Sequence, residues 1–473
     1  MTTPHLSSAE LVDHLVNRIG EIDSAGPELN SVLTVNPEAM AVAIERDGEH
    51  RDGRIRGPLH GVPVLVKDNV DTADLDTTAG SLALVGHRPT DDAPLVVRLR
   101  DAGAIVLGKT NLSEWANLRS PHSTSGWSAV GGLTRNPWDL ARSAGGSSSG
   151  SGAAVAAGLA PLAIGTETDG SIVCPASLNG VVGIKPTVGL VPAAGIVPIS
   201  HSQDTAGPMA RTVREAAALL DVMSGVDGTY AAAADPSAAG SLRGLRVGVG
   251  RALFGDHPAT DSLIEAVLHL LSQHGVTLVD PADVPAMPAY DAGDDELTVL
   301  LHELKHDMAS YLATRPDGTP RTLADIVQFN EQHADTELAW FGQEFFEQAL
   351  ATGGLDDEVY LTARARGLHA ARDDGLDAVI GKHSLDALVA PAFGPAWFSD
   401  LVNGDHMAGG RVTTAPAIAG YPIVTLPVGL VHGLPVGLAI VGGARSEATL
   451  LRLAQGVEST LGLTAQGAFV PPI

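Results

Sequence analysis

The sequence predicts a layered α/β protein in which one large sheet is covered by helices on both faces and carries a mostly helical insertion. Three observations lead there. Short apolar runs such as "AIVLG" alternate with helical stretches, the pattern of α/β layers. Residues 290–380 are almost continuously helix-like, whereas 386–473 return to strands. A chain of 473 residues that is 44% hydrophobic and 18% charged also has the composition to bury a large core.

Residues 1 to about 56 read as helices with turns, and "MTTPHLSSAELVDHLVNRIGEID" is an amphipathic helix with acids rather than an apolar leader. "PVLVK" is an apolar strand that ends on Lys67. "DAPLVVRLRDAGAIVLGKTNLSEWANL" predicts helix, buried strand and helix, and the alternation returns over Leu159–Thr187. A helix over "TVREAAALLDVMSG" runs into a small-residue, turn-rich stretch, which places a linker at about 226–241 before the strand in "LRGLRVGVG". "LDALVAP", "PIVTLPVGL" and "PVGLAIVGG" are strands, and a last helix starts at Ser446. The simplest organisation is a single domain over 1–473, with the insertion at about 290–380.

Charge and cysteine content exclude several classes of function. With 29 basic and 55 acidic residues the net charge is −26, so neither nucleic acid nor an anionic membrane is an expected partner. The single cysteine, Cys174, cannot form an internal disulfide, and the cytoplasm is the expected compartment. "AAVAAGLAPLAIG" is too short, and too broken by Pro161, to cross a bilayer.

"RSAGGSSSGSGAAVAAG", Arg142 to Gly158, admits four readings. A flexible linker would have to separate two domains, yet the stretch joins a Pro-containing loop to an Ala/Val helix. A phosphate cradle would need the Lys of GxxxxGK[ST] or the spacing of GxGxxG, and neither is present. Gly146 to Gly150 matches GxSxG, which would expose Ser148 as a nucleophile, but "TRNPWDLARSAG" before it does not read as a strand. The fourth reading takes in "AIGTETDGSIVCPASLNGVVGIKPTVGLVP", which sets a second Gly-flanked serine, Ser171, on a loop between apolar strands.

Three other signals compete. "HELKH" matches HExxH, which on a helix turns His302 and His306 to one face for zinc with Glu303 as base, but no third ligand can be identified. Cys174 has no adjacent base and reads as a small packing group. The glycines of "LRVGVGRALFG" lack dinucleotide-site spacing.

Taken together, "GPLHGVPVLVKDN", "RSAGGSSSGSG" and "GTETDGSIVCP" resemble the amidase signature family, and the similarity extends over most of the chain. The resemblance implies a large mixed sheet covered by helices on both faces, with residues 57–225 carrying a Lys, cis-Ser, Ser catalytic group. Position by position it makes Lys67 the base, Ser147 the bridging serine preceded by a cis peptide bond, and Ser171, 24 positions further on, the acylated nucleophile. Backbone N–H groups of Thr168, Asp169 and Gly170 are the implied oxyanion hole.

The chemistry fits those residue types. A serine hydroxyl needs a base to take its proton, and lysine serves only when neutral, a form that burial favours. Hydrolysis through an acyl-serine calls for neither metal nor organic cofactor. The expected substrate is a small-molecule or short-peptide amide, cleaved to acid and ammonia. Family members that act on carboxylate-bearing substrates have an Arg just after the nucleophile, where this chain has Val173 and Cys174. "TETDGSIVCPA", "SEWAN", "SQDTAGPMAR", "LADIVQFN" and "WFGQE" instead resemble the peptide-amidase branch, whose members remove the C-terminal amide of peptides. The alternatives are a broad aliphatic or aryl amidase or esterase, a zinc hydrolase built on HELKH, and a non-catalytic subunit of the same fold. The insertion, with "LADIVQFNEQHADTELAWFGQE", is the expected wall or lid, its Phe329, Trp340 and Phe341 either lining the cleft or packing its core.

Overall fold

The computed structural model describes residues 6–237, 242–284 and 293–462. Eleven strands form one mixed sheet: β1 (Val32–Val35), β2 (Pro63–Lys67), β3 (Ile105–Thr110), β4 (Leu162–Glu167), β5 (Val182–Lys185), β6 (Thr205–Ala210), β7 (Arg246–Val249), β8 (Thr277–Val279), β9 (Ala387–Pro391), β10 (Ile423–Val431) and β11 (Leu434–Val441). Their order is β1-β3-β2-β4-β6-β5-β10-β11-β9-β7-β8. β3, β2 and β4 run parallel, as do β9, β7 and β8, and antiparallel strands join the two groups.

Alternation along the central strands feeds two cores. Val64, Val66, Val106, Leu162 and Ile164 pack on one face with the helices Pro94–Asp101 and Val213–Ser224. Leu65, Ile105, Leu107 and Ala163 pack on the other with the helices Ser8–Arg18, Ala39–Arg51 and Ser149–Ala156. Successive side chains of a strand point to opposite faces, so strands read as unbroken apolar runs must be covered on both sides. The helix ends follow the sequence as well: Ser7 with Glu10, and Thr212 with Glu215, form capping boxes, and Gly225 ends the second helix in the left-handed conformation.

Residues Asp295 to His383 are helices and turns, and the strands and final helix expected after them are present. Four expectations need correction. Residues 1–56 contain the edge strand β1, a four-residue pairing on β3 too short to show a period. "SEWAN" is a 3-10 turn rather than a helix, because Trp115, Ala116 and Asn117 all have positive φ. Asp139–Ser143 does form a short strand, paired with Arg135–Asn136 outside the main sheet. The linker at 226–241 includes the short helix Thr229–Ala233, while its residues 238–241, like the insertion's 290–292, lie outside the described residues. Among the described residues no helix is long and apolar enough to cross a membrane.

Candidate active site

Lys67 is the last residue of β2, with no exposed surface. Its Nζ donates to Ser147 Oγ at 2.8 Å, to Thr166 Oγ1 at 2.8 Å and to the Thr166 carbonyl at 3.3 Å. Among the described residues no carboxylate stands within ion-pair distance, so burial dominates and the ammonium pKa is pushed down to about 7, opposed by the more distant Asp204 and Glu167.

The peptide bond between Gly146 and Ser147 is cis. Gly146 is required by space: a Cβ there would stand 2.3 Å from Ser113 Oγ and 2.9 Å from Ser125 Oγ. The Ser147 carbonyl accepts from the Ser113 N–H at 3.0 Å, which ties this turn to the segment after β3.

Ser171 sits on the turn between β4 and the helix Val173–Asn179, not between two strands, and its backbone carbonyl accepts from the Ser148 N–H at 3.1 Å. Its Oγ forms no hydrogen bond among the described residues and lines a cleft of about 430 Å³. Glu167, at the end of β4, accepts from the N–H groups of Ile172 at 2.6 Å and Val173 at 2.9 Å, holding the first turn after the serine. Burial raises the Glu167 pKa, with Lys185 acting against it.

Thr168, Asp169 and Gly170 also line the cleft. The N–H groups of Asp169 and Gly170 donate no hydrogen bond among the described residues, and Gly170 has φ +77, a conformation suited to glycine. Thr168 Oγ1 donates to Asp204 Oδ1 at 2.6 Å, while Asp204 Oδ2 accepts from the N–H groups of Ile199 and Ser200. Burial pushes the Asp204 pKa up to about 6. Thr414 Oγ1 donates to Asp169 Oδ2 at 3.0 Å, and the Asp169 carboxyl is likewise raised by burial.

The structure therefore brings Lys67, Ser147 and Ser171 to one place and sets the competing residues aside. Ser148 is fully buried; its Oγ donates to the Thr166 carbonyl at 3.0 Å and accepts from the Thr166 N–H at 3.1 Å, so it is not the exposed serine of an elbow. Cys174 is buried, and burial pushes its thiol up, away from thiolate chemistry. His302 bonds the Thr298 carbonyl at 2.7 Å, and His306 is exposed beside Asp307. Among the described residues one His/acid group has ligand atoms close enough for a single ion, His201, Glu303 and Asp307, and it leaves out both HELKH histidines.

Sequence reasoning missed Thr166 and Asp204. Both sit within the quoted motifs, but a hydroxyl or acid gives no sign of its partner until strands pair. It also put the insertion's wall too late. Glu296 and Leu300, on the first helix of the insertion (Asp295–Leu312), line the cleft. Phe341 instead packs edge-on against Trp127, Phe329 joins the insertion core and Trp340 is exposed.

A family model described as Amidase matches residues 10–451. The chain belongs to the amidase family. It is similar to the crystal structure of native peptide amidase from Stenotrophomonas maltophilia, with 48% identity, TM-score 0.91, and 99% of this chain and 95% of that one covered. The peptide amidase PAM in complex with the competitive inhibitor chymostatin matches at 49% identity and TM-score 0.93, covering 99% and 96%. A probable amidase of Arabidopsis thaliana is 36% identical over 472 residues, 96% of this chain and 86% of its own. The chain is thus an amidase that hydrolyses an amide C–N bond, on a large mixed sheet of the amidase-signature fold.

Proposed function

We propose that this amidase removes the C-terminal carboxamide of peptides, with Lys67 as base, Ser147 as relay and Ser171 as nucleophile. One observation carries the reading: a fully buried lysine with no acid in contact donates to the serine after a cis bond, beside a second serine whose hydroxyl faces the cleft. Neutral Lys67 takes the Ser147 proton as Ser147 takes that of Ser171, and Ser171 Oγ bonds to the amide carbon. The carbonyl oxygen becomes an oxyanion held by the N–H groups of the Thr168 to Gly170 turn. The proton returns through Ser147 to the amide nitrogen, the C–N bond breaks and ammonia leaves. Water then attacks the acyl carbon by the same relay and releases the acid.

The cleft favours a substrate without a free carboxylate. Asp169, Glu296 and Asp405 line it, and Arg411, the one basic residue among the described residues that line it, lies 3.3 Å from Asp256. Val173 stands buried where family members that hold a carboxylate have Arg. Leu118, Ile199, Leu300, Phe393 and Met407 supply apolar walls suited to the side chains of a peptide. In this reading residues 57–225 hold the catalytic group and the helical insertion walls the cleft.

The test is mass spectrometry of C-terminally amidated dipeptides, with ammonia quantified, beside glutamine, an aliphatic amide and an anilide. Conversion of peptide amides to acids with internal bonds intact is expected. Turnover of only the simple amide or the anilide would overturn the peptide assignment while leaving the triad in place.

A further inference from the structure

The histidines of HELKH belong to neither the triad nor the group of His201, Glu303 and Asp307, yet the motif's acid is among the most enclosed of the described residues. Glu303 has no exposed surface. Its Oε2 accepts from the Ser200 hydroxyl, from Ser202 Oγ at 2.9 Å and from the Ser202 N–H at 3.2 Å, while Oε1 accepts from the Tyr360 hydroxyl at 2.7 Å. Ser200 and Ser202 belong to the loop from Ile199 to Asp204. The N–H groups of Ile199 and Ser200 in turn donate to Asp204, at 2.8 and 2.9 Å, and Asp204 holds the Thr168 hydroxyl. An unbroken chain of hydrogen bonds thus runs from the insertion helix to the turn before Ser171.

We propose that Glu303 is a positioning residue for amide hydrolysis: by gripping Ser200 and Ser202 it fixes the loop whose Asp204 sets the oxyanion turn through Thr168. The same helix walls the cleft with Glu296 and Leu300, about two turns and one turn before Glu303 respectively, so substrate contact and the relay share one rigid element. Asp204 also acts electrostatically on Lys67, favouring its protonated form. The relay is therefore visible in the pH dependence of catalysis. The charged and titratable groups that face it are His201 and Asp307 beside Glu303, Tyr360 and Arg364 from the helix Glu358–Leu368, Glu296 through Gln203, and Glu167 at the catalytic end.

The inference rests on the Lys67–Ser147–Ser171 reading, whose own failure would appear as full activity in Ser171→Ala whatever Glu303 does. The experiment is steady-state kinetics of Glu303→Ala against pH on a peptide amide. Expected are a kcat about 10-fold lower with KM little changed, and an acid limb moved down by about half a pH unit as Asp204 leaves Lys67. Glu303→Gln, which keeps an oxygen for the serines, should restore most of kcat. His306→Ala, at an exposed residue of the same helix, should change nothing. A folded Glu303→Ala with an unmoved limb, or with only a lower melting temperature, overturns the proposal. If Glu303→Ala does not fold, Ser200→Ala with Ser202→Ala cuts the same chain from the loop side, and the same limb shift decides.

Discussion

Lys67 and Lys109 lie on neighbouring parallel strands, Val66 opposite Lys109 and Lys67 opposite Thr110, and neither side chain reaches solvent. Their partners differ. Lys109 Nζ lies 3.2 Å from Asp68 and donates to the Val70 carbonyl and Thr77 Oγ1, a buried charge matched by a charge. Among the described residues Lys67 meets only two hydroxyls and a carbonyl, and its pKa falls to about 7. Burial is common to both. A carboxylate contacts Lys109 and, among the described residues, none contacts Lys67, which suits the proposed role of Lys67 as base.

The sharpest way to break this comparison is to exchange the losses. Lys67→Ala and Ser171→Ala should each lower kcat by more than about 10³-fold while the chain still folds, and wild-type activity in either would remove the triad. Lys109→Met should act on stability instead, costing about 3–5 kcal/mol because Asp68 is left charged and buried. Its surviving folded fraction should show the wild-type pH profile, and a shifted profile would mean that the two lysines are not separate.

The pH dependence sharpens the contrast further. Only neutral Lys67 accepts the proton, so kcat/KM should rise with pH through about 7 and then level, and activity undiminished well below that range would contradict the role. Because the folded pKa lies below the value of about 10.5 for a free lysine, the unfolded chain holds more protons between those limits. Lys67 therefore adds stability as pH rises from about 7 to 10.5, by up to about 1.4 kcal/mol per pH unit. Buried Lys185, lowered to about 8, contributes in both proteins, so urea unfolding across that window should show a steeper slope in the wild type than in Lys67→Met.

Smaller effects are expected away from the relay. Ser148→Ala should cost about 1–3 kcal/mol by leaving the Thr166 backbone groups short of partners. It should nonetheless retain turnover, whereas an inactive variant acylated in the wild type at Ser148 would restore the elbow reading. The smallest effect belongs to a metal chelator, which should leave amide hydrolysis unchanged.

Much of this was legible in the linear chain. Apolar β-branched runs gave away β2, β3 and β4, and helical patterning gave away the helices that start at Ser8 and Val213. What escaped was short or conformationally unusual. β1 is an edge strand of four residues, and "SEWAN" carries helix-forming residues that the chain holds at positive φ, where buried Glu114 meets Arg119 at 3.3 Å. No propensity argument reaches a turn dictated by a partner elsewhere.

By itself the sequence determined the layered architecture, because periodicity is a local property of the chain, and its resemblance to the amidase signature family pointed to Lys67, Ser147 and Ser171 as the proposed catalytic group. The tertiary structure alone decided that, among the described residues, Lys109 has a carboxylate in contact and Lys67 has none. It also decided that Ser148 faces Thr166 rather than the cleft, and that Glu303 accepts from the loop whose Asp204 holds the Thr168 hydroxyl. Each of these depends on strand register and on contacts between residues far apart in sequence, where a shift of one position would turn every side chain to the other face.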